Sequence, residues 1–288
     1  MNTSAEELER NADKYIRKDG HFLIKMIMSY DADKAATLYS QAAQAYSREG
    51  NHRKAAEMYG VSANVLIETK DETNKFDVFS FLEKSAEALL ADGKKEDAIK
   101  VYQKALNEIS INYEDTSMVA SLIAKIGGLF KEINQEKEAL KCFYRAADVY
   151  GRAKMHINKR SILLECAAAE IRSKNYEKSF ELYKSLSNEN SEISHVLEKT
   201  SFLFLGVLCG IILEKTKDAY ELLNQMDDSQ AETQIAYKML DIRTKRSEDQ
   251  EDLEKAVEYF KRTHQLPSEV LIALHDAQVS IDPNNDIL

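Results

Sequence analysis

Small side chains and large apolar side chains recur four residues apart along this chain. The pairs are Ala35/Tyr39, Ala55/Tyr59, Ala98/Tyr102, Ala139/Phe143, Ser179/Tyr183, Ala219/Leu223 and Ala256/Phe260. Residues four apart share one face of a helix, so each pair predicts a helix whose small residue admits a neighbouring helix and whose large residue fills the space beside it. From Ala55 onward the small residues follow one another at intervals of 37 to 43 residues.

Residues that tolerate a left-handed backbone mark the helix ends between these pairs. Gly50, Gly93 and Asn134 each stand five residues before a small residue, and Asn175 stands four before Ser179. A repeat of about 40 residues predicts helical hairpins of the tetratricopeptide-like type. The pattern thus predicts an all-α, right-handed solenoid of about fourteen antiparallel helices with a C-terminal helical bundle. The predicted helices are 4–18, 31–49, 52–69, 74–92, 94–110, 116–133, 135–153, 158–173, 175–187, 192–213, 215–226, 229–246, 250–264 and 268–281.

Two domains are expected from this organisation. Residues 1–213 form the sheet of helical hairpins, with an apolar loop at 20–30, and residues 214–288 form the C-terminal bundle and tail. The most apolar run, 202–213, is too short to cross a bilayer and predicts a buried helix. Stacked hairpins expose an extended surface whose usual task is to bind other proteins.

Composition supports the helical prediction and narrows the function. Only 2 Pro and 9 Gly occur in 288 residues, too few for the turns of a β-sandwich or barrel. A net charge of −10 disfavours nucleic acid as a partner, because phosphate binding needs a basic face. The three cysteines, at 142, 166 and 209, have no zinc or redox spacing, and residues 1–7 show no secretory leader. A reducing, cytoplasmic location is expected.

The sequence lacks the common residue patterns of catalytic sites. There is no phosphate-binding glycine loop, no pair of histidines at metal-binding spacing and no Gly-x-Ser-x-Gly motif. We therefore expect no catalytic residue, no metal site, no cofactor and no enzymatic activity. The carboxylates are interpreted as solvated charges on helix surfaces.

Two terminal segments are harder to explain as core. Residues 21–30 are strongly apolar and lie beside Arg17, Lys18 and Lys25, which suits an interfacial membrane contact. The membrane-contact candidates are Phe22, Leu23, Ile24, Met26 and Ile27. The alternative is a helix end folded onto the first repeat. Beyond the helix stop at Asp282-Pro283, the tail ends in an acidic and then apolar sequence, 286–288, which is either without function or a short docking element.

Together these features resemble the soluble NSF attachment proteins (SNAPs), adaptors that recruit a hexameric ATPase to SNARE complexes. The resemblance covers essentially the whole chain. It lies in the fourteen-helix layout, the apolar loop after the first helix, the helix starts at 31–43 and 176–183, and the closing Asp286-Ile287-Leu288, which is similar to the end of alpha-type members. Whether the chain is alpha-like or gamma-like stays open.

The resemblance implies a mechanism and a set of site residues. Several copies surround the SNARE four-helix bundle, the N-terminal loop touches the membrane, and the C-terminal end docks on the NSF-type ATPase. The implied ATPase-binding residues are Glu214, Asp241, Asp286, Ile287 and Leu288. Two further acidic positions of the family fall on Thr244 and Lys245, and Glu248, Asp249, Glu251 and Asp252 are their possible substitutes.

The SNARE-facing positions depart from the family. Its basic residues fall on Ser121, Ser161 and Thr200, none of which is basic. The nearby cations Lys125, Lys159, Arg160 and Lys199 are therefore the candidate SNARE-binding residues. Two alternatives remain: a general tetratricopeptide-like scaffold, and a divergent SNAP mimic that binds without completing the cycle. A peripheral, membrane-associated place in the cytoplasm follows from the resemblance.

Overall fold

The computed structural model describes residues 4–16, 31–113, 115–188, 196–244 and 249–282. Within these ranges the regular structure consists of fourteen α-helices and one 3-10 turn, with no strand, so the all-α prediction is confirmed. The helices are α1 (Ala5–Asp13), α2 (Ala32–Arg48), α3 (His52–Thr69), α4 (Lys75–Ala91), α5 (Lys95–Tyr113), α6 (Ser117–Glu132), α7 (Glu136–Arg152), α8 (His156–Arg172), α9 (Tyr176–Asn188), α10 (Val196–Ile212), α11 (Thr216–Leu223), α12 (Ala231–Arg243), α13 (Gln250–Thr263) and α14 (Ser268–Ile281).

The small residues of the repeat lie where the pattern predicts, at helix contacts. The side chains at 35, 55, 98, 139, 179 and 219 have no accessible surface, whereas Ala256 of the last pair is half-buried. Their large partners are also buried, and Tyr102 and Tyr183 are among the largest fully buried side chains. The pairs of small and large residues four positions apart therefore mark the places where neighbouring helices approach closely.

A left-handed residue closes five of these helices, each five positions before the next small residue. The five are Gly50, Gly93, Asn134, Lys174 and Glu214, with φ between 57° and 78°. In each turn the following amide donates to a carbonyl five residues back, as Lys215 does to Gly210 at 2.8 Å, which satisfies a helix-end acceptor. The fourth break was predicted at Asn175, and this detail was wrong. Lys174 takes the left-handed conformation because the position in the turn, rather than the residue type, imposes it.

The first compact unit comprises residues 1–155. Along α1 to α7 each helix packs against the next. Two tyrosines of α2 anchor α1: the Tyr39 hydroxyl donates to Asp13 Oδ1 at 2.5 Å, and the Tyr46 hydroxyl donates to Glu9 Oε2 at 2.8 Å. The first helix is thereby fixed to the first hairpin.

The second compact unit comprises residues 156–288. Its centre is α10, which packs against α9, α11, α12 and α14, and α14 in turn packs against α8. The apolar run of α10 from Phe202 to Ile211 is almost entirely buried, which confirms the prediction of a buried helix. The domain boundary predicted between residues 213 and 214 differs from the division of the compact units between Met155 and His156. Helix α10 contacts α9, which precedes residue 213, and also α11, α12 and α14, which follow it. The predicted domain boundary stays a prediction.

Adjacent glycines in α6 offer a matched test of this close approach. A Cβ atom added at Gly127 would lie 2.8 Å from Cε1 of the buried Phe143 ring, whereas one added at Gly128 would meet no atom within 4 Å. Gly127→Ala is expected to lower the free energy of unfolding by about 1–3 kcal/mol through overpacking, less any gain in helix propensity. Gly128→Ala is expected to raise it by about 0.5–1 kcal/mol. Urea unfolding of both variants measures the difference, and equal effects would show that α6 and α7 are not in close contact at Gly127.

Candidate partner-binding surfaces

Glu214 projects from the tight turn between α10 and α11. Its carboxylate is mostly exposed and forms an ion pair with the guanidinium of Arg243 at the end of α12. Arg243 also donates a hydrogen bond of 2.6 Å to the Ser280 carbonyl oxygen near the end of α14. Arg243 was not among the predicted site residues. It links the α10–α11 turn to α12 and α14, and it gives the exposed Glu214 carboxylate a partner within the fold.

Asp241 lies two residues before Arg243 on α12. Its Oδ1 atom accepts a hydrogen bond of 3.1 Å from the Tyr220 hydroxyl of α11, and its side chain is half-buried. Because Glu214 is paired with Arg243 and Asp241 precedes Arg243 by two residues, the structure brings the two predicted ATPase-facing carboxylates to the same end of α12. They are 27 positions apart in the sequence.

The two departures from the family's acidic positions, Thr244 and Lys245, and their possible substitutes at 248, 249, 251 and 252 mostly have partners within the protein wherever the structure describes them. Thr244 Oγ1 donates to the Leu240 carbonyl at 2.8 Å. Asp249 caps α13 by accepting from the Asp252 amide at 3.0 Å. Glu251 pairs with Lys255 at 2.6 Å, and Asp252 pairs with Lys238. Positions 245 and 248 lie outside the described residues. The described acidic residues therefore already have partners within the protein.

Lys125 lies on α6 and faces α4. Its Nζ atom is 3.2 Å from Glu87 Oε1 and 3.6 Å from Glu83 Oε1, and it stands 4.7 Å from the centre of the Tyr102 ring. Burial works against the charge of Lys125, but the Tyr102 hydroxyl and the Glu87 carboxylate outweigh it, so the pKa of Lys125 is raised. A partner's carboxylate would therefore compete with two internal ones.

The other three candidate cations lie on α8 and α10. The Arg160 guanidinium donates to the Leu186 carbonyl oxygen at 2.7 Å and lies 5.3 Å from the centre of the Phe202 ring, so Arg160 joins α8 to α9 and α10. Lys159 and Lys199 are half-buried, and neither forms an ion pair with any residue that the structure describes.

The three departures from the family's basic positions differ in exposure. Ser121 and Ser161 are exposed, whereas Thr200 is buried. A basic side chain at position 200 would thus meet the core.

The predicted membrane-contact residues, 22–27, and the tail residues 286–288 lie outside the described ranges. Within those ranges no helix is long and apolar enough to cross a membrane. Within the same residues there is also no group of three or more His, Cys, Asp or Glu side chains suited to holding a metal ion.

Two known proteins are similar to this chain. It is 26% identical over 141 residues to the photosystem I assembly protein Ycf3 of Synechococcus sp. (strain CC9902), a match that covers 49% of this chain and 78% of that protein. The crystal structure of a signal transduction ATPase with a tetratricopeptide repeat sensor from Pyrococcus horikoshii superposes with a TM-score of 0.56 at 18% identity. That match covers 90% of this chain but only 41% of the ATPase, and it shows the tetratricopeptide-like fold alone.

The decisive comparison is with a protein family. The family described as "Soluble NSF attachment protein, SNAP" matches residues 3–273, which span both compact units. A match of this extent confirms the resemblance seen in the sequence. The chain belongs to the soluble NSF attachment protein family.

Proposed function

We propose that this chain is an adaptor that binds SNARE complexes, recruits an NSF-type hexameric ATPase and stimulates it to disassemble them during vesicle fusion. The observation that carries the proposal is the family match over residues 3–273. The family and the tetratricopeptide-like fold support a helical adaptor or scaffold that binds proteins and is not itself an enzyme. The SNARE complex and the ATPase are proposed as partners because the family resemblance implies them.

The two carboxylates near the C-terminal end of α12, Glu214 and Asp241, support ATPase docking. Glu214 is exposed and held by Arg243, and Asp241 is held by Tyr220, so both carboxylates have defined positions. Charges positioned in advance lose less side-chain freedom on binding than free ones do, although a basic partner would compete with Arg243 for the Glu214 carboxylate. We infer that a basic surface of the ATPase binds here, and that the tail at 286–288 acts after docking.

The SNARE-facing surface carries four candidate cations, Lys125, Lys159, Arg160 and Lys199. Lys125 and Arg160 already interact within the protein, so we assign Lys159 and Lys199 the main contacts with acidic SNARE side chains. This arrangement favours one rival function, a divergent SNAP mimic that docks on the ATPase or on SNAREs but does not complete the cycle. A general scaffold with an unrelated partner is the other rival.

Reconstitution with purified components separates these functions. The chain would be mixed with an assembled SNARE bundle and an NSF-type ATPase, and recruitment, ATP turnover and SNARE release would be measured. If the chain is the proposed adaptor, it recruits the ATPase, raises its ATP turnover and causes SNARE release. Recruitment without release identifies the mimic, and a chain that neither recruits the ATPase nor changes its turnover in the presence of SNAREs refutes the adaptor function.

The apolar segment 20–30 is proposed to bring the adaptor to membranes, with a peripheral location in the cytoplasm. Each large apolar side chain moved from water into an apolar environment is worth about 1.5–3 kcal/mol. Replacing Phe22 and Leu23 by Ser is therefore expected to remove most binding to liposomes of phosphatidylcholine and phosphatidylserine, measured by flotation, without changing thermal unfolding. Tyr259→Ser, which removes an exposed aromatic ring from α13, is the control and should keep binding. Unfolding of the double variant would instead assign the segment to the core.

A further inference from the structure

The second compact unit contains an apolar cavity that no predicted site residue lines. It has a volume of about 540 Å³ and lies between α8, α10 and the loop that joins α13 to α14. Its walls are mainly aromatic and aliphatic, including Leu164, Phe202, Phe204, Leu205 and Phe260. Pockets that hold ligands or anchoring side chains commonly measure about 300–1,000 Å³ and are largely apolar. The size and lining therefore suit a cluster of apolar side chains.

Acidic side chains predominate among the charged groups around the cavity, although Arg172 pairs with one of them and Arg160 lies 5.3 Å from the centre of the Phe202 ring. Glu165, Glu232 and Glu269 line it, and none of the described residues along its wall is Lys or Arg. Glu269 is paired with Arg172 at 3.3 Å, an ion pair in which both side chains are largely buried. Glu232 is half-buried and forms no ion pair with a described residue, so its charge is available at the cavity. The site thus disfavours anionic ligands such as fatty acids and favours a cation beside an apolar group.

We propose that this cavity binds the apolar face of an amphipathic helix from a partner protein, with Lys or Arg of that helix placed beside Glu232. Apolar anchors in a desolvated pocket supply most of the affinity in such contacts, and complementary charge supplies orientation and rate. The inference does not rest on SNARE or ATPase binding. It assigns the second unit a separate preference for a basic, apolar segment, whereas Lys159 and Lys199 are proposed to meet acidic side chains.

The test uses three short synthetic helices as probes. The first carries Leu on one face and Lys beside it, the second replaces every Leu by Ser, and the third replaces every Lys by Glu. Binding to the full chain is measured by fluorescence anisotropy at two salt concentrations. Only the Leu/Lys helix is expected to bind, and more weakly at high salt, because exposed charges are screened.

Four variants locate the binding site. Ala168→Phe fills the cavity from α8, and Leu266→Asp makes its α13–α14 wall polar without touching a fully buried residue. Each substitution is expected to lower the affinity for the Leu/Lys helix by about tenfold or more. Glu232→Lys should weaken it severalfold and flatten the salt dependence, while Glu221→Lys makes the same charge change on α11 away from the cavity and should leave binding intact.

The contrary results are equally specific. The Leu/Lys and Ser/Lys helices could bind equally well, or Leu266→Asp and Ala168→Phe could both keep the wild-type affinity and unfold normally on heating. Either result would show that the basic helices are attracted to the net negative charge of the protein and not to the cavity. Absence of binding by the Leu/Lys helix to the wild-type chain would also overturn the proposal. None of these results alters the SNARE and ATPase assays, so the two proposals fail separately.

Discussion

Replacing Ile287 and Leu288 by Ala is expected to abolish stimulation of the ATPase and SNARE disassembly, while SNARE binding and ATPase recruitment persist. The described core ends with the buried Ile281 at the last residue of α14, and Asp282 follows as its cap. By family resemblance, the two apolar side chains at the end of the tail act on the ATPase only after docking. Their loss would then remove a catalytic effect rather than a binding contact.

The measurement is ATP turnover of the ATPase with SNARE bundles, beside co-sedimentation of the ternary complex. Asn284→Ala with Asn285→Ala changes two polar residues of the same tail and is the matched control, which should keep full stimulation. If the Ile287→Ala, Leu288→Ala variant fails to sediment with the ATPase, the tail is a docking element. If it stimulates normally, the tail has no role in the cycle.

Charge reversal at Glu214 and Asp241 is expected to cause the opposite kind of defect, a loss of recruitment. The double variant Glu214→Lys, Asp241→Lys replaces the anionic partner of Arg243 by a cation and adds a second cation two residues before Arg243 on α12, where a basic ATPase surface would otherwise dock. We expect the affinity for the ATPase to fall by about tenfold to a hundredfold at low salt and the difference to shrink as salt is added. ATPase binding measured across a salt series gives both quantities.

The fold should tolerate Lys at position 214. Glu214 has φ of 60°, and Lys70, Lys154 and Lys174 already adopt the same left-handed conformation at φ of 57°. Glu49→Lys with Glu96→Lys makes the same change in net charge at two exposed positions of the first unit and serves as the control. An equal loss of affinity in both double variants would indicate a general effect of net charge rather than a docking surface.

Local pattern explains why the helices could be predicted from the sequence. A small residue followed four positions later by a large apolar one, with a turn residue five positions before, is read from neighbouring residues alone. Helix periodicity and turn chemistry act over the same short distances. The error at Asn175 shows the limit of this reasoning, because Lys174 and Glu214 adopt a left-handed conformation that their residue types do not favour.

Periodicity, apolar runs and motif order were enough to predict the all-α repeat, the buried helix α10 and the family. Which charges are available to a partner became clear from the three-dimensional fold. Lys125 meets Glu83 and Glu87 from α4, and Arg243 meets Glu214 from the turn after α10. The cavity beside Phe202 and Phe260 likewise forms from helices far apart in the chain. Such contacts depend on how helices distant in sequence approach one another, which local pattern does not encode.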